Sequence, residues 1–115
     1  MTSKIYHNPR CSKSRQTLQL LKANNVTPEI IEYLKTPPSE SELKAILKAL
    51  DMEPRELMRK GEAEYKENHL EDDSLTDDVL IAAMLKYPKL IERPIVIIDG
   101  KYALGRPPES VLDII

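Results

Sequence analysis

The chain has 115 residues, enough for one domain with one modest hydrophobic core. Its 41% apolar and 31% charged content is ordinary for a soluble globular protein. A net charge of −2, with no Lys/Arg block, gives no electrostatic reason to expect a nucleic acid or an anionic membrane as partner. The lone cysteine excludes an internal disulfide framework. No apolar run approaches bilayer length, and the start Met1-Thr2-Ser3-Lys4 lacks a signal peptide's apolar stretch. A cytoplasmic protein is the expectation.

Lys4-Ile5-Tyr6-His7, stopped by Asn8-Pro9, reads as a strand ending in a turn. Ser12 to Asn25 reads as a helix with Thr17, Leu18 and Leu21 on its apolar side, closed by Asn24-Asn25. Glu29 to Leu34 is a second strand candidate. Ser39-x-x-Glu42 is a capping box, and Leu43, Ile46, Leu47 and Leu50 then follow at helical spacing. Glu53 to Lys60 predicts a short helix with Pro54 in its first turn. The charged run Glu62 to Asp73 reads as a solvated helix and loop. Thr76, with Asp77 and Asp78 behind it, caps a helix whose stripe is Leu80, Ala83, Met84 and Tyr87.

Arg93-Pro94 opens Ile95-Val96-Ile97-Ile98, a continuous apolar run suited to a strand buried on both faces. Asp99-Gly100 is a two-residue hairpin turn, Lys101 to Gly105 the return strand, and Pro107-Pro108-Glu109 the opening of a last short helix. The order β-α-β, several helices, β-β, α demands a right-handed crossover first and antiparallel strands last. It predicts an α/β fold with a mixed sheet flanked by helices.

Cys11 stands between the first strand and the first helix. A helix start favours negative charge, and Arg10 and Arg15 add positive charge nearby; both favour the nucleophilic thiolate. The commoner fate of a lone cysteine is a small buried hydrophobe, but these polar and basic neighbours argue for reactivity. Ser14 stands where a dithiol oxidoreductase has its second cysteine, so any redox cycle must take its second thiol from outside the chain. One Cys and two distant His make a poor zinc set.

The opening Ile5-Tyr6-His7-Asn8-Pro9-Arg10-Cys11-x-x-Ser14-Arg15-x-Thr17-Leu18 resembles that of the glutaredoxin-dependent arsenate reductases. Arg55 to Lys60, Leu90 to Val96, Gly105-Arg106-Pro107-Pro108-Glu109 and Val111 to Ile114 resemble later segments of that family in the same order. Ser12-Lys13 replaces a Gly-Thr pair, and the length is closer to a shorter bacterial subgroup. The resemblance implies a single thioredoxin-like domain over residues 1–115 with an inserted helical region. It implies Cys11 as catalytic residue, Arg59, Arg93 and Arg106 as oxyanion ligands, and Pro94 as a proline that is usually cis. His7 and Ser14 match thiolate-activating positions, and Arg15 is added to them for its charge. No bound cofactor or metal is implied. Glutathione is the implied co-substrate, glutaredoxin the partner and arsenate the substrate, reduced to arsenite. Two alternatives keep the superfamily and change the function. One is a thiol-based regulator that binds RNA polymerase, the other a protein handling glutathione mixed disulfides.

Overall fold

The computed structural model describes residues 2–115; Met1 lies outside them. Four strands form one mixed sheet: β1 (Ser3–His7), β2 (Glu29–Glu32), β3 (Ile95–Ile98) and β4 (Lys101–Leu104), in the order β2-β1-β3-β4. β1 and β2 run parallel, connected through helix α1 (Ser12–Ala23), while β3 is antiparallel to both β1 and β4. This is the expected α/β, thioredoxin-like arrangement. The hairpin turn is the one its residues demand: Asp99 and Gly100 both take positive φ, 49° and 79°. α1 closes as its two asparagines foretell, with Asn25 left-handed at φ 65° and the Val26 N–H returning to the Leu21 carbonyl at 2.9 Å. β2 stops two residues earlier than expected, because a turn takes over: the N–H groups of Lys35 and Thr36 both donate to the Glu32 carbonyl.

The chain divides into two units, one running to Thr36 and resuming at Arg93, the other spanning Pro37–Glu92. In the first unit, α1 and a C-terminal 3-10 helix (Pro108–Ile114) pack on each other and on the sheet. Ile5, Val96, Ile98 and Ala103 from the strands meet Leu21, Val26 and Val111 in its core. Complete burial of a Val, Leu or Ile side chain contributes about 1.5–3 kcal/mol.

The second unit is the inserted helical region. It holds α2 (Glu40–Leu50), α3 (Pro54–Leu57), α4 (Ala63–Glu67) and α5 (Asp77–Lys86), then a 3-10 turn (Pro88–Leu90). The Ser39/Glu42 capping box is complete in both directions. α2 and α3 both pack on α5, burying Leu43, Ile46, Leu47 and Leu57 with Leu80, Ile81 and Met84. Two expectations change here. The helix expected over Glu53 to Lys60 ends at Leu57, because Met58 forms an antiparallel bridge with Ile91 and the Arg59 N–H donates to the Leu90 carbonyl at 2.7 Å. The charged run is not solvated throughout: Tyr65 and Leu70 are buried. Arg55 gathers this segment, donating to the Tyr65 hydroxyl and to the carbonyls of Leu70 and Asp72. Among the described residues, no helix is long and apolar enough to cross a membrane.

Candidate active site

β1 ends at His7, and the turn Asn8-Pro9-Arg10 delivers the chain to α1. The Cys11 N–H donates to the Asn8 carbonyl and the Arg10 N–H to Asn8 Oδ1, both at 3.0 Å. Arg15 reaches back from the helix, donating from Nη1 to the Pro9 carbonyl at 2.9 Å. Cys11 is the N-cap residue of α1, in extended conformation at φ −92° and ψ 124°. Its carbonyl accepts the first helical bond, from the Arg15 N–H at 3.0 Å. No side chain caps this helix, and its first turn carries no acid. The positive end of the helix dipole is therefore offered to an anion rather than neutralised by the protein itself. The thiol is free, and the residue is 8% exposed.

Behind the cysteine, His7 and Ser14 form a buried pair. Ser14 has no exposed surface, and its hydroxyl stands 2.6 Å from His7 Nδ1 while accepting the Asn8 N–H at 3.0 Å. One hydroxyl thus ties the end of β1 to the first turn of α1. Burial pushes the His7 pKa below its usual value; Glu32 opposes this, and Arg15 and Lys22 assist it. The neutral imidazole is favoured. With Nδ1 unprotonated, Ser14 donates to it while its oxygen accepts from Asn8, so the hydroxyl serves both neighbours.

The arginines divide between the units. Arg93 precedes β3 and Arg106 follows β4; the register Ile95↔Leu104 sets them side by side. The Gly105 N–H donates to the Pro94 carbonyl at 2.8 Å, and Arg106 Nη1 donates to the Arg93 carbonyl at 3.4 Å. The peptide bonds Arg93–Pro94 and Arg106–Pro107 are cis. Because β3 is antiparallel to β1, with Tyr6 opposite Ile95, this corner and the cysteine loop occupy the same end of the sheet. Arg93 is buried at 9% exposure, whereas Arg106 and Arg15 are exposed. Arg59 belongs to the second unit, beyond α3 rather than on it. There it pairs with Glu62 through Nη1 at 2.8 Å and with Glu92 through Nε at 3.5 Å.

Gly105, read from the sequence only as the end of the return strand and part of the family-like segment, has a role at this site. A Cβ at this position would stand 2.6 Å from Thr17 Oγ1 and 2.7 Å from Pro94 Cγ. Only glycine lets α1 come this close to the corner that carries Arg93 and Arg106. The signal was present in the two-residue turn, which sets the hairpin register and hence what faces residue 94. Among the described residues, no group of three or more His, Cys, Asp or Glu stands ready for a metal ion.

The model of the ArsC family matches residues 6–114. The chain belongs to the ArsC family. It is 58% identical over 113 residues to YfgD, an uncharacterized protein of Escherichia coli strain K12, covering 97% of this chain and 95% of that one. It is 47% identical over 109 residues to an arsenate reductase of Neisseria meningitidis serogroup A, covering 94% and 93%. Among solved structures, an arsenate reductase from Vibrio cholerae matches with a TM-score of 0.96 at 52% identity, covering 100% of this chain and 98% of that one.

Proposed function

We propose that this ArsC-family protein reduces arsenate to arsenite through Cys11, with glutathione and glutaredoxin supplying the electrons in the cytoplasm. The observation that carries the reading is the free cysteine at an uncapped helix N-terminus, on the same sheet end as the Arg93–Arg106 corner. Relatives that share nearly the whole chain are arsenate reductases, which supports arsenate as the oxyanion.

Arsenate is largely dianionic near neutral pH, and the attacking thiolate is an anion too. Guanidiniums suit this chemistry, because each meets two oxygens with its planar fork and keeps its charge. Arg93 and Arg106 hold the oxyanion. His7, Ser14 and Arg15 fix the loop that presents the Cys11 thiolate. In the first step the Cys11 sulfur forms a bond to arsenic; an arsenate oxygen leaves as water, taking up two protons. No electrons change hands. A glutathione thiol then attacks the Cys11 sulfur. The S–S bond forms, the As–S electron pair stays on arsenic, and arsenite departs with the thiol proton. Glutaredoxin removes the glutathionyl group by thiol exchange and restores Cys11. Ser14 in place of a second cysteine suits a cycle resolved by an outside thiol.

The test couples purified protein, arsenate, glutathione and glutaredoxin to glutathione reductase and follows NADPH oxidation. Arsenate-dependent oxidation that vanishes in Cys11→Ser is the expected result. Arg93→Ala and Arg106→Ala each lower kcat/KM for arsenate by roughly ten- to a hundredfold, the worth of a charge-assisted hydrogen bond. No arsenate-dependent turnover above background would sink the reading.

A further inference from the structure

A cleft of 330 Å³ opens between the Asn8–Arg10 loop and the end of β2, and His7, Arg10, Glu32, Leu34 and Lys35 are among the residues that line it. Its volume lies at the lower end of the range of about 300–1,000 Å³ usual for small-molecule sites. The parallel register of β1 and β2, with His7 opposite Glu32, makes both walls end together, at the loop that leads to the cysteine. Two cations and one carboxylate ring the cleft: Arg10, Lys35 and Glu32. Leu34 offers apolar surface at 39% exposure. The Glu32–Lys35 pair is long, 3.7 Å, and its side chains are 45% and 79% exposed. Such a pair contributes little and exchanges readily for a ligand's charges.

Glutathione carries the complementary pattern: two carboxylates, one ammonium and a short apolar stem ending in the thiol. We propose that this cleft seats the glutathione that attacks Cys11, its carboxylates on Arg10 and Lys35 and its ammonium on Glu32. Arg10 adjoins Cys11 in the chain, so a tripeptide anchored there has its thiol within reach of the cysteine loop. The assignment rests on the glutathione-dependent reading above, and its test is chosen to fail separately from it.

S-methylglutathione, which cannot react, is titrated into the isotope-labelled, reduced protein and followed by amide NMR. Saturable shifts at Arg10, Glu32, Leu34 and Lys35 are expected, and Lys35→Glu weakens the affinity about tenfold. Lys35 is exposed, so the fold tolerates the change. No shifts at millimolar ligand, or shifts gathered elsewhere, overturn the assignment even in a protein that reduces arsenate. Binding in the cleft without arsenate turnover sinks the reductase reading and leaves the glutathione seat standing. In the coupled assay, Lys35→Glu raises KM for glutathione about tenfold and leaves KM for arsenate unchanged. With excess β-mercaptoethanol, a thiol without carboxylates that also resolves its own mixed disulfide on Cys11, and with arsenite measured directly, wild type and variant turn over alike; an equal deficit with both thiols overturns the seat.

Discussion

The two units place their candidate arginines by different physics. In the sheet unit, Arg93 and Arg106 are neighbours because the β3–β4 register makes them so, and Gly105 lets α1 close on them. In the helical unit, Arg59 is held by side chains, the carboxylates of Glu62 and Glu92, about three-tenths exposed or less. Backbone register cannot be adjusted without moving the sheet. Partly exposed ion pairs can be rearranged at small cost. The first unit therefore fixes the backbone positions of its two candidate arginines, and the second holds an arginine whose orientation is open to tuning.

One substitution applied to both units tests this contrast most strongly. Gly105→Ala is expected to destabilise by about 3 kcal/mol through overpacking against Thr17 and Pro94. Gly61→Ala, in the other unit with nothing within 4 Å of the added carbon, stays within about 0.5 kcal/mol. Urea unfolding of the two variants decides it, and equal losses would refute the close-approach argument. Ser14→Ala strands His7 Nδ1 and the Asn8 N–H in a buried place and should lose about 1–3 kcal/mol by the same measurement.

The lowered His7 pKa also makes a pH prediction. Below the ordinary value of 6.5 the unfolded chain binds the proton that the folded chain resists, so stability falls as pH drops through that region and on toward the lower folded value. The loss should be shallower in His7→Asn; an unchanged slope from about pH 7.5 to about 5.5 would break the claim. The smallest effect belongs to Arg59. Glu62→Gln should change stability by under about 1 kcal/mol. Urea unfolding checks it, and a loss well above that would show that the pair does more than a partly exposed ion pair can.

Local chemistry was legible along the chain. The Ser39 capping box, the Asp99-Gly100 turn, the asparagine stop after α1 and the position of Cys11 all depend on residues within a few places of one another. So did the α/β order of the sheet unit, because hydrophobic runs and turn residues alternate in a way few topologies allow. The short α3 was misread, since its continuation was decided by Ile91, far along the chain from Met58. Tyr65 and Leu70 looked solvated within a charged run, yet Arg55 folds that run around itself.

The sequence by itself determined that a single thiol, with no second cysteine to resolve it, stands at a helix start among basic residues. Its elements, caps and turns are set by short-range hydrogen bonding and periodicity. Only the tertiary structure decided that His7 and Ser14 share one buried hydrogen bond, that Arg93 and Arg106 adjoin, and that Gly105 makes room for them. Those relations join residues separated along the chain, Thr17 and Gly105 most widely of all. They exist only once strand register and helix packing have brought the backbone together.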